Sequence, residues 1–188
     1  MRPRVLVAGV GNVALGDDGF GVEVVQRLEG EALPDWVQIA DYGVGGAGHG
    51  RIDGDLVGGY DTTILVDATP RGRQGGSLCV LEVELGDHPD GVPALLASHG
   101  IRPEGALRLL QLLGGDAGRV LVVCCEPVKT TGVGLSREAA GAAEDALRIV
   151  TDLVWGNDPE ISVTRLLTTP DDLVDPEAPR QFEPVRGQ

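Results

Sequence analysis

Two adjacent aspartates held between glycines, Asp17 and Asp18 in Gly16-Asp17-Asp18-Gly19, are the side chains of this sequence that point most directly to chemistry. Carboxylates repel phosphate, so a glycine loop that carries them suits a hard or borderline cation, or acid and base work. Asp67 is a second candidate, closing the apolar run Thr63-Ile64-Leu65-Val66 ahead of Ala68-Thr69-Pro70. His99 is a third, in Ser98-His99-Gly100 just before a helix-like stretch. Asp18, Asp67 and His99 together make a carboxylate, carboxylate and imidazole set, which suits zinc, nickel or a similar ion. Each has a plainer reading as well. An aspartate ahead of a helix caps orphan N–H groups, one before a proline loop starts a turn, and a lone histidine before a helix serves as a cap or surface residue. In the pair, Asp17 or Gly19 would shape the turn while Asp18 faces the cleft. His49 and His88 stand in loop-like segments and read as solvent-facing.

The elements that must position these residues alternate. Apolar, β-branched runs at 5–8, 37–41, 63–66, 78–83 and 120–124 read as strands. Helical spacing marks 19–28, 103–113 and 136–154, with a short, poorly marked helix near 50–57. The last long helix opens on the serine N-cap Ser136 and carries Ala139, Ala143, Ala146, Leu147, Val150 and Leu153 on one stripe. Strands separated by helices predict an α/β fold of three layers, α/β/α, around a mostly parallel sheet. In such a sheet the loop after the first strand and an acid at the carboxyl end of a central strand share one edge, where ligands bind.

Composition bounds the partners. The 188 residues carry a formal charge of −14, which argues against nucleic acid and against an anionic membrane surface. Aromatic content is only 3%, so Val, Leu, Ile and Ala must build the core. Arg2 and Arg4 are followed by a short apolar run that ends in glycine, unlike a signal peptide. No apolar run reaches the roughly 18 residues of a spanning helix. Cys79, Cys124 and Cys125 lack C-x-x-C spacing and read as reduced, strand-buried thiols of a cytoplasmic protein. Residues 1–156 form the α/β domain in this reading. Residues 157–188 hold five of the twelve prolines and seven acids against three basic residues, the composition of an extended or partly disordered tail.

The loop from Gly9-Val10-Gly11-Asn12 through Gly16-Asp17-Asp18-Gly19-Phe20-Gly21 resembles the N-terminal signature of the hydrogenase maturation proteases. The likeness continues in order through Ile64-Leu65-Val66-Asp67-Ala68, Ser98-His99-Gly100, Val122-Val123-Cys124-Cys125-Glu126-Pro127 and Gly134-Leu135-Ser136. It covers roughly residues 4–154 and leaves the tail outside. The resemblance implies an endopeptidase, of aspartic or metal-dependent type, that trims the C-terminus of the [NiFe]-hydrogenase large subunit after nickel insertion. It implies that Asp18, Asp67 and His99 are both the metal-binding and the catalytic positions, with nickel supplied by the substrate and no nucleotide cofactor. The first of these is Glu in some members and Asp in others, so Asp18 fits the pattern. Gly43, Gly45 and Gly46 correspond to a family loop near the substrate. The implied partner is the large-subunit precursor, with neither nucleic acid nor membrane.

Two other functions compete. Gly9-Val10-Gly11-Asn12-Val13-Ala14 matches the G-x-G-x-x-A of Rossmann-type nucleotide binders, with Asp41 ending the next strand. In that fold the helix begins inside the glycine motif, whereas here helical spacing starts only after Asp18. A non-catalytic, nickel-sensing maturation chaperone on the same scaffold is the other.

Overall fold

The computed structural model describes residues 3–44, 59–83, 118–157 and 163–166. Strand β1 (Val5–Asn12) leads through a 3-10 turn (Gly16–Gly19) into helix α1 (Phe20–Leu28), followed by β2 (Val37–Val44) and β3 (Thr62–Ala68). Then come β4 (Leu78–Val83), β5 (Arg119–Cys125), helix α2 (Arg137–Trp155) and β6 (Val163–Leu166). All five predicted strands are present, β1 extending four residues past its apolar run to Asn12. The helices expected at 50–57 and 103–113 lie outside the described residues, as do His49, His88, His99, Gly45 and Gly46. Among the described residues no helix is long and apolar enough to cross a membrane.

The six strands form one sheet in the order β2-β1-β3-β5-β4-β6. β2, β1, β3 and β5 run parallel; β4 is antiparallel to β5, and β6 is parallel to β4. The mostly parallel sheet holds, with two strands reversed at one side. β6 comes from the segment read as tail, so the sheet takes a strand from beyond residue 156. Both faces of the sheet are buried, as three layers require. Val5, Val7, Ile64, Val66, Val80, Leu121 and Val123 join α1 and α2 in one apolar cluster. Their neighbours Leu6, Ala8, Leu65, Leu81 and Val122 are equally buried on the opposite face.

Helix α2 fits against this cluster through alanines, which let backbones approach closely. Ala139, Ala142, Ala143, Ala146, Val150 and Val154 are its buried residues. The predicted stripe is therefore rotated slightly, leaving Leu147 and Leu153 only partly buried. Ser136 caps the helix as predicted, accepting from Ala139 N at 3.1 Å, and Gly156 ends it with φ 73°.

Helix α1 is pressed onto the strand ends at two glycines. A Cβ on Gly21 would lie 2.0 Å from the Val66 carbonyl oxygen and 2.5 Å from that of Val10. A Cβ on Gly9 would lie 2.2 Å from the Gly21 oxygen. The head of α1 thus rests directly on the backbone of β1 and β3. Gly21→Ala should cost about 2–3 kcal/mol in urea unfolding, since backbone and not a flexible side chain must give way. Gly141→Ala, in the exposed middle of α2 with nothing near its Cβ, should instead stabilise by about 0.5–1 kcal/mol.

Candidate active site

The chain leaves β1 for β2 on one side and then returns to β3 on the other. The strand order therefore reverses at the β1/β3 boundary, the topological switch point at whose carboxyl edge open α/β sheets hold their ligand crevice. The loop after β1 carries Asp18, and Asp67 is the next-to-last residue of β3. The 3-10 turn holding Asp18 packs against both strands. Gly11 and Gly43, register partners on β1 and β2, stand at the same edge. Gly11 has φ 126°, and a Cβ there would lie 1.8 Å from the Asp18 carbonyl oxygen, so only glycine admits this turn. A Cβ on Gly43 would meet Val22 at 2.4 Å.

The two adjacent aspartates do different work. Asp17 is fully buried. Its Oδ2 accepts from Val128 N at 2.7 Å, Lys129 N at 2.8 Å and the Ser136 hydroxyl at 2.9 Å, while Oδ1 accepts from Ser136 N at 2.6 Å. Its own N–H donates to the Lys129 carbonyl at 2.6 Å. Burial pushes the carboxyl up, but the hydrogen bonds from Ser136, Lys129 and Val128 together outweigh it and hold Asp17 below its ordinary value of 3.8. The expectation that Asp17 shapes the turn is met, by a route the sequence did not show. It caps the approach to α2, not the head of α1. Asp18 stays half-exposed at the edge, with its N–H on the Leu15 carbonyl at 3.3 Å.

Asp67 is buried, and its Oδ1 accepts from the Ala68 N–H at 2.8 Å. Thr69 Oγ1 stands at 3.5 Å from Oδ2, a long contact. Glu126, not singled out as a site from sequence, fixes the loop that follows. Its carboxylate accepts from Arg71 N at 2.7 Å and Gly72 N at 3.1 Å, and its carbonyl from Gly76 N at 2.8 Å. A glutamate ending an apolar strand just before Pro127 was the available signal. Each of the two loops leaving the switch point is thus tied by a buried carboxylate to the segment after β5.

Asp18, Asp67 and Gly43 share the carboxyl edge; His99, Gly45 and Gly46 lie outside the described residues. Among the described residues no group of three His, Cys, Asp or Glu side chains is disposed to hold a metal. Two carboxylates at one crevice fit a cation that takes its other ligands elsewhere. They do not fit a pyrophosphate, because α1 begins only at Phe20 with both aspartates at its head. Asp41 is turned to its own strand and to α1: Oδ1 accepts from Gly43 N at 2.8 Å and Oδ2 from Gln26 Nε2 at 3.2 Å.

No family model matches the chain. A hydrogenase expression/formation protein HupD from Rhodobacter capsulatus is 32% identical over 187 residues, covering 94% of this chain and 82% of that protein. A hydrogenase maturation protease of Methanocaldococcus jannaschii, so named provisionally, is 32% identical over 79% of this chain and 95% of its own. Among solved structures, the hydrogenase maturating endopeptidase HybD from E. coli superposes with a TM-score of 0.63 at 29% identity, covering 81% of this chain and 93% of that one. A hydrogenase 2 maturation peptidase from a Thaumarchaeota archaeon gives 0.58 at 31% identity, covering 80% and 97%.

Asp17→Asn places an amide N–H₂ among N–H donors and should lower unfolding free energy at pH 7 by about 3 kcal/mol. Because the folded carboxyl lies below its unfolded value of 3.8, its contribution is complete above that value and fades as pH falls through the folded one. The gap between wild type and Asp17→Asn, measured by urea unfolding across pH, should therefore narrow only in acid.

Proposed function

Because the chain belongs to the hydrogenase maturation proteases, we propose that it is an endopeptidase that removes the C-terminal extension of the [NiFe]-hydrogenase large-subunit precursor once nickel has been inserted. What supports this reading is that the 3-10 turn carrying Asp18, held by Asp17, packs against β3, which carries Asp67 near its carboxyl end, at the β1/β3 switch point. Asp18, Asp67 and His99 are the residues that grip the nickel, which comes as part of the substrate. The site of action is the cytoplasm.

The chemistry follows from the donor set. Substrate-borne nickel supplies a Lewis acid beside the scissile carbonyl. Asp67, held by the Ala68 N–H, and half-exposed Asp18 orient the precursor so that its scissile bond lies in the crevice. A carboxylate of the pair accepts the proton of the attacking water and passes it to the leaving amine. Gly43, Gly45 and Gly46 belong to the segment that meets the substrate. A precursor without nickel gives the three side chains nothing to grip, so hydrolysis depends on metal loading. Neither Cys124 nor Cys125, both buried in β5, takes part.

The test is cleavage of the nickel-loaded precursor, followed by intact mass. Wild type should release the C-terminal peptide only from loaded precursor. Asp18→Asn, Asp67→Asn and His99→Ala should each lose about 100-fold or more in rate. Precursor that binds but stays intact with wild type would replace hydrolysis by nickel sensing. A melting-temperature rise with NAD(H) would revive the nucleotide reading.

A further inference from the structure

On the sheet face away from α1, the side chains beside Asp67 are left unused by the proposed hydrolysis. Asp67 on β3 is the register partner of Cys124 on β5, and Cys124 is the partner of Cys79 on antiparallel β4. Because β4 is reversed, its second residue lies at the carboxyl edge beside the site. The register sets Cys124 and Cys79 directly opposite each other on neighbouring strands, while the Thr69 hydroxyl stands at 3.5 Å from Asp67 Oδ2. On the far side Arg71 Nη1 donates to Cys79 Sγ at 3.3 Å. Asp67, Cys124 and Cys79 thus follow one another in register across three strands, with Arg71 against Cys79.

Both thiols are free. Directly opposed residues of an antiparallel pair stand about 4.5–5.5 Å apart at Cα, inside the roughly 4.4–6.8 Å that a disulfide spans. Cys79 is half-buried, and Cys124, its partner on the neighbouring strand, is buried. The neighbouring Cys124 thiol brings the Cys79 thiol down to about 6 against the opposing effect of burial, and the Arg71 guanidinium adds to it. A thiolate beside a guanidinium, backed by a second thiol, is the arrangement of a reactive cysteine with its resolving partner. Cys125 cannot substitute. Adjacent strand residues point to opposite faces, and burial, with Asp17 and Glu126 nearby, pushes its thiol up to about 12.

We propose that Cys79 and Cys124 are a peroxide-oxidisable pair, closing to a reversible disulfide next to Asp67. The Cys79 thiolate attacks one oxygen of hydrogen peroxide, the O–O bond breaks, and the departing hydroxide takes up a proton as water. Cys79 is left as a sulfenic acid. The Cys124 sulfur then displaces that hydroxyl, its own proton leaving with it as a second water. Two thiols lose two electrons and one peroxide gains them. Drawing Cys124 toward β4 pulls on the β5 residue paired in register with Asp67, so the closed bond lowers cleavage; that consequence rests on the peptidase reading.

The full chain is treated with equimolar hydrogen peroxide and examined by intact mass and peptide mapping. The expected result is the loss of two hydrogens, a Cys79–Cys124 cross-link, and full reversal by dithiothreitol. Cys79→Ser and Cys124→Ser should each lose the cross-link, and Arg71→Ala should form it several-fold more slowly. Unreacted thiols, a cross-link to Cys125, or oxidation of Cys79 to sulfinic acid with Cys124 intact would overturn the proposal. Oxidised and reduced protein are then compared on nickel-loaded precursor. A cross-linked protein that cleaves as fast as the reduced one overturns the link to Asp67. Failure of the reduced protein to cleave defeats the peptidase reading alone, because the mapped disulfide stands without it.

Discussion

The carboxylate of Asp17 is the contact on which the arrangement of this edge depends. It has no access to water, yet it is ionised because three backbone N–H groups and a hydroxyl converge on it. An isolated buried charge is costly, and one enclosed by donors is stabilised, so the surrounding loop has little freedom to rearrange. The donors come from Val128, Lys129 and Ser136, over a hundred residues away in sequence, and the acceptor stands next to Asp18. The position of Asp18 is therefore set from across the domain. Ser136 serves twice, donating its hydroxyl to Asp17 and accepting from Ala139 N, so the start of α2 and the loop after β1 are a single hydrogen-bonded unit.

Glu126 has the matching role on the other loop. Its carboxylate gathers the N–H groups of Arg71 and Gly72, and Arg71 in turn places its guanidinium against Cys79. The residues just after β5 thus hold both loops that leave the switch point. Surface pairs such as Arg27–Glu144 at 2.8 Å, between α1 and α2, add little by comparison, since exposed ion pairs are worth about 0–1 kcal/mol.

Much of this was legible in the sequence because it follows from local pattern. The β-branched runs gave five strands, helical spacing gave α1 and α2, and the glycines around Asp17 and Asp18 marked the loop where β1 opens. What local pattern does not carry is pairing. Nothing in Leu78–Val83 says that it runs opposite to β5, and nothing in Val163–Leu166 says that it joins the sheet edge. Four residues in a proline-rich, acidic stretch read as tail until β4 gives them a ladder to join. The division of labour between Asp17 and Asp18 was half-visible for the same reason. The residue types announced a turn, but the partners that bury one and leave the other at the crevice are remote. Cys79 and Cys124 read as inert thiols when seen singly; only the antiparallel register makes them a pair.

The chain has two tryptophans, and they face each other. Trp36 stands just ahead of β2 and Trp155 at the last turn of α2, their rings 5.7 Å apart and nearly perpendicular. Both belong to the amino edge of the sheet, opposite the acidic crevice. The molecule therefore carries its indole signal at one pole and its acidic edge at the other. Indole fluorescence will follow whether α2 remains docked, at a place remote from the crevice, so a variant that folds but does not react can be told from one that has come apart without leaving the cuvette.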